Sequence, residues 1–120
     1  ARLRKTSHSE LMEELIRYKT TYHNKPRQLL RLSSLIVRRY LELMETSRDS
    51  LLSGVSSCSI TELNTLSSRI KERNIKSILS ILIDIEEKRF EETISSDLAV
   101  DLVRKLENSL NAIVLERKVA

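Results

Sequence analysis

The chain has 120 residues, 40% of them hydrophobic, 32% charged and only 3% aromatic, with a formal net charge of +4. That suffices for one domain with a core of Leu, Ile and Val, and no window approaches the roughly 20 uncharged apolar residues of a membrane span. The single Cys58 excludes an internal disulfide and the single Gly excludes glycine-rich phosphate loops. With no secretory apolar run among the first ten residues, a reducing, intracellular setting is expected, cytoplasmic or nuclear.

Residues 1–6 read as a frayed basic lead-in. Ser7 and Glu10 have capping-box spacing, and Leu11, Leu15, Tyr18 and Tyr22, with Met12 and Ile16 beside them, then make the apolar face of a first helix to about Tyr22. His23-Asn24-Lys25-Pro26 breaks it, and Pro26 suits the first turn of the next helix, where its missing N–H costs nothing. That second helix is expected from Pro26 to about Leu52, with Leu29, Leu32, Ile36, Tyr40 and Leu43 as its stripe and Leu30, Val37, Leu41 and Met44 widening it. Arg27, Arg31 and Arg38 fall within roughly 40° of each other on the same helix. They form the best row of phosphate-contact candidates in the first half. Residues 53–58, with the only Gly at a natural helix stop, read as the main loop.

Ser59 and Glu62 repeat the capping-box spacing and open a long third helix, expected from Ile60 to Thr93. Its centre, residues 75–85, reads IKSILSILIDI and holds seven large aliphatic residues in eleven. Ile78, Ile81, Leu82 and Ile85 share a face with Leu63, Leu66 and Ile70, and Asn74 falls on that face too. Ile75, Leu79 and Ile83 lie off it, continued by Phe90. A helix apolar on more than one side is buried on more than one side. Either the second face of this one meets a partner chain or the helix is packed on both sides within one chain. Arg69, Arg73 and Lys76 line the opposite side. Ser95-Ser96-Asp97 restarts a fourth helix, in which Ala99, Val103, Leu106, Leu110 and Ile113 follow coiled-coil-like spacing. Residues 116–120 should be frayed. The fold class is therefore all-α: a single domain over residues 1–120, either a four-helix bundle or two packed helical hairpins with a long central helix.

Catalytic, cofactor and metal signals are missing. His8 and His23 have no Cys or His at ligand spacing. Cys58 sits in a Ser-rich loop with no sign of a nearby base. Glu86, Glu87, Glu91 and Glu92 alternate with Lys88 and Arg89 as exposed helix surface does. Charge is uneven: residues 1–39 hold ten Lys and Arg against three Glu, residues 40–120 eleven against fourteen acids. A basic third of this kind meets nucleic acid or an acidic protein surface, or is ordinary solvated surface.

RIKERNIKSILSILIDIEEKRFEETI, residues 69–94, followed by SSDLAVDLVRKLENSLNAIV, resembles the helical domain of a GINS subunit of the archaeal type. The likeness lies in a helix with an early Arg/Asn segment, an aliphatic run, a basic tail, a short break and an amphipathic helix. It covers the second half only, and the small β domain usual in that family is absent. The resemblance implies a scaffold subunit of a DNA-replication complex, with Ile75, Leu79, Ile83 and Phe90 as interface residues. The expected function is a non-enzymatic interaction subunit that oligomerises or docks into a larger assembly, without membrane or small-molecule substrate. The alternative is a nucleic-acid-binding accessory domain using Arg27, Arg31, Arg38, Arg69, Arg73 and Lys76.

Overall fold

Five α-helices and one short 3-10 turn account for the secondary structure of the computed structural model, which describes residues 8–44, 52, 54–89, 91 and 93–119. They are α1 (His8–Thr21), α2 (Pro26–Met44), the 3-10 turn Val55–Ser57, α3 (Ile60–Arg69), α4 (Arg73–Lys88) and α5 (Ser96–Val119). The all-α reading holds. The Ser7 cap, residues 45–51 of the expected second helix, Phe90 and Glu92 lie outside the described residues. The frayed end expected after 116 is helical to Val119.

The first, second and last helices form where their apolar spacing said they would. α1 buries Leu11 and Leu15, α2 buries Leu29, Leu30, Val37, Tyr40 and Leu41, and α5 buries Ala99, Val103, Leu106, Leu110 and Ile113. α2 is covered by α1, α4, α5 and the 3-10 turn, and its small residues Ser33 and Ser34 are buried as well. α5 lies against α4, α2 and α1, and Lys19 of α1 reaches Glu107 of α5, with Nζ 2.9 Å from Oε1. All these helices contribute to one buried cluster. The Cα radius of gyration is 13.8 Å, close to the roughly 13–14 Å of a compact body this size.

The expected long central helix is two helices. Ile70 leaves α3 in extended conformation (φ −78, ψ 134), and Glu72 enters α4 from φ −70, ψ 123. No Gly or Pro marks the break. Its cause is tertiary. A straight helix over residues 60–93 would run about 50 Å at 1.5 Å per residue, longer than the 41 Å long axis of the molecule. Breaking at Ile70 lets α3 pack on α4 and bury Leu63, Leu66 and Ile70. The Ser59–Glu62 capping box is formed in full: the Glu62 amide donates to Ser59 Oγ at 3.2 Å and the Ser59 amide to Glu62 Oε1 at 3.0 Å.

With α3, α5 and α2 all against α4, the second face of the Ile-rich run is covered from within the chain. Ile75 is 4% exposed and Leu79 0%, like Ile78, Leu82 and Ile85 on the main face. Ile83 is half-buried against the same core. The free contact surface expected at Ile75, Leu79 and Ile83 is therefore corrected: these residues belong to the chain's own core. Asn74, in the first turn of α4, is only half-buried.

Candidate functional site

One row on α2 decides what the surface offers. Arg27, Arg31, Leu35 and Arg38 recur at spacings of four, four and three, so they share a helix face. That face looks toward the C-terminal end of α4 and the 3-10 turn, and the three arginines meet different fates there.

Arg38 is buried, at 6% exposure. Its Nη1 donates to the carbonyls of Val55 at 3.1 Å and Cys58 at 2.7 Å, and its Nε donates to Ser34 Oγ at 3.2 Å. Nη2 lies 3.4 Å from Glu86 Oε1. A buried guanidinium is tolerable when its donors are filled and its charge paired, and both conditions are met. Arg38 thereby fastens the turn after Gly54 to α2 and α4. Gly54 itself has φ +78, the left-handed conformation that favours glycine. The expected role of Arg38 in phosphate contact is corrected: its N–H groups face inward.

Glu86 is the counterpart that the sequence reading missed. It is not exposed acidic surface: it accepts from Arg89 Nη1 at 3.0 Å and Ser34 Oγ at 3.4 Å besides pairing with Arg38. The signal was its position one residue after buried Ile85 and four after buried Leu82, at the edge of the apolar face. Glu87 and Glu91 are exposed as expected.

Arg27 donates to the backbone carbonyls of Arg89 and, at 2.9 Å, Glu91. Cationic donors there satisfy carbonyls at a helix C-terminus and oppose its partial negative charge. Arg31 is exposed, and its side chain has no hydrogen-bond or ion-pair partner among the described residues, which is also true of Lys25. The three arginines are thus a cap, a free cation and a buried clamp, not a uniform row.

Two cavities follow this face. The larger, about 780 Å³, lies among Lys25, Pro26, Arg27, Gln28, Arg31, Arg89 and Ile94. The smaller, about 310 Å³, is lined by Arg31, Leu35, Arg38, Cys58, Glu86, Arg89 and neighbouring serines. Arg31 and Arg89 line both, so the two lie side by side along a groove between α2 and the end of α4. Leu35 stands in its wall at 52% exposure. Burial pushes the Cys58 thiol up, and Glu62 and Glu42 nearby add to that while Arg38 opposes it. A thiol shifted this way is a poorer nucleophile at neutral pH.

Arg69, Arg73 and Lys76 are exposed but line neither cavity. Lys76 and Arg89 are separated by about 20 Å along α4, so the structure does not bring the two basic sets together. His23 is exposed with Nδ1 2.9 Å from the Thr20 carbonyl. Among the described residues no group of three or more His, Cys, Asp or Glu could hold a metal, and no helix is long and apolar enough to cross a membrane. Comparison with protein-family models, curated proteins and solved structures gives no match.

Proposed function

We propose that this chain is a non-enzymatic helical subunit that docks into a larger assembly by protein contact. The observation that carries the reading is the groove between α2 and the end of α4, where Leu35 stands 52% exposed beside Arg31. Fully burying a leucine side chain is worth roughly 1.5–3 kcal/mol, and a partner seated in the groove recovers part of that. The strongest polar groups nearby are spent on one another: Arg38 and Glu86 hold the fold together rather than facing a substrate. The likeness of residues 69–114 to GINS helical domains names a DNA-replication scaffold as the assembly, a step that rests on sequence alone.

The test is the mass of the chain in its native setting. Isolated under non-denaturing conditions from the cells that make it, the protein carrying this chain should sediment well above its own monomer mass. Leu35→Glu should return it to that mass with an unchanged circular dichroism spectrum. A wild-type protein found only at its monomer mass overturns the reading.

A second reading, the nucleic-acid accessory domain, draws on the exposed Arg69, Arg73 and Lys76. It expects duplex DNA binding that weakens with salt by a log–log slope of about −0.9 per phosphate contact. Changing those three residues to Gln should flatten that slope, and no binding at low salt removes the reading.

A further inference from the structure

We infer that the groove receives an acidic, leucine-bearing segment of a partner protein. This rests on the docking reading above and adds the chemistry of the partner.

Three observations point the same way. First, the larger cavity is lined by Lys25, Arg27, Arg31 and Arg89, with no acidic side chain among the described residues. Glu86, the one acid lining the smaller cavity among the described residues, is already engaged by Arg38 and Arg89. The field in the groove is positive, and concave walls of low dielectric strengthen it. Second, the lining is also apolar, through Pro26 and Ile94 in the larger cavity and Leu35 in the smaller. Third, Arg31 and Leu35 are one turn apart on α2, about 6 Å along the axis. A carboxylate and a leucine four residues apart on an approaching helix have the same separation, which is how an amphipathic helix reads a groove.

A nucleic acid fits this groove less well. Arg38 points inward and Arg27 is engaged with carbonyl oxygens, which leaves Lys25 and Arg31 as the exposed cations here without a side-chain partner among the described residues. Two phosphate contacts give a salt slope near −2, far below that of a tight duplex binder. Among the described residues no aromatic ring lines either cavity to stack a base.

The experiment uses fluorescence anisotropy on the full chain with three labelled probes. One is a synthetic helical peptide of Glu, Asp, Leu and Ala, with acid and leucine four apart. The second is the same peptide with every acid changed to its amide, and the third is a short DNA duplex. The acidic peptide should bind at least about tenfold more tightly than the amide peptide. Arg31→Glu should cost at least about tenfold, with an unchanged thermal melt because Arg31 is exposed. Lys76→Glu, outside the groove, should leave peptide affinity unchanged.

Equal affinity for the amide peptide overturns the acidic-partner inference. It leaves the docking reading standing, since the groove would then be an apolar site. Binding of the duplex but not the peptides, lost in Arg31→Glu, overturns it in favour of nucleic acid. Absence of any peptide binding, or unchanged peptide affinity in Arg31→Glu, also overturns it; the native-mass measurement then decides separately whether the chain docks at all.

Discussion

Arg38 and Glu86 meet between α2 and α4, Nη2 to Oε1 at 3.4 Å, with side chains only 7% and 14% exposed. The pair joins two helices that are distant in sequence, and Arg38 adds the carbonyls of Val55 and Cys58 to the same junction. It sits directly beneath the groove, so the shape of the groove depends on it.

Removing one partner should therefore be costly. Arg38→Met leaves Glu86 with Arg89 as its remaining cation and the turn carbonyls without a donor, and should destabilise the fold by about 1–3 kcal/mol. The double change Arg38→Met with Glu86→Leu should recover only the part of that loss that comes from the charge pair, since the Val55 and Cys58 carbonyls still lack a donor. Urea unfolding with a shared slope would measure both values. A single variant within about 0.5 kcal/mol of wild type would show that the pair carries little.

Most of the fold could be read in the sequence, and the misreadings have physical causes. The stripe of α5 matched the buried residues in full; those of α1 and α2 matched at Leu11, Leu15, Leu29, Ile36 and Tyr40, whereas Tyr18, Tyr22, Leu32 and Leu43 are half-buried and Ile16 is exposed. The Ile-rich run was legible as doubly buried, but which chain covers the second face is not encoded in its periodicity. That depends on the turn at Ile70, which carries no Gly or Pro and exists because α3 gains burial by packing on α4. Arg38 and Arg31 look alike on a helical wheel. They differ because Arg38 borders Val37 and Leu41 and lies opposite the turn at Val55, a contact set by the tertiary fold. Long cationic side chains at the edge of an apolar stripe can face either way.

The cap of α3 predicts a pH dependence. Hydrogen bonds from the backbone and then the side chain of Ser59 hold the Glu62 carboxyl below its usual value of 4.5. A group whose pKa is lower in the folded state stabilises that state above the unfolded pKa and loses the contribution as pH falls through the folded one. Amide protection at the start of α3 should thus be flat from neutral pH down to about that usual value and decline below it. Ser59→Ala should move the Glu62 midpoint, followed by NMR, back toward 4.5. A wild-type midpoint at 4.5 would mean the cap does not form in solution.

Cys58 should be slow to alkylate and dispensable. Its half-buried thiol, shifted upward mainly by burial, holds little thiolate at neutral pH. Iodoacetamide should modify it more slowly than a free cysteine, with the rate climbing as pH rises beyond the ordinary thiol range. Cys58→Ser should keep the thermal melt, since the Arg38 contact at this position is to the carbonyl, not the sulfur. Rapid alkylation at neutral pH would contradict the burial.

The last prediction separates the interior of α4 from the surface of α2. Leu79 is 0% exposed and Leu35 52% exposed, although both are leucines on helices that touch each other. Leu79→Ala removes atoms packed on all sides and should cost about 2–5 kcal/mol through the cavity left behind. Leu35→Ala removes atoms already half in water and should stay within about 0.5 kcal/mol. Docking should respond in the opposite order. Leu35→Ala should weaken capture of the acidic peptide, while Leu79→Ala should leave its affinity unchanged under conditions where the variant is still folded. Chemical denaturation and anisotropy on the same two proteins give the four numbers. If Leu79→Ala kept full stability and lost binding instead, the second face of the Ile-rich run would be an interface after all, and the groove would lose its place as the contact surface.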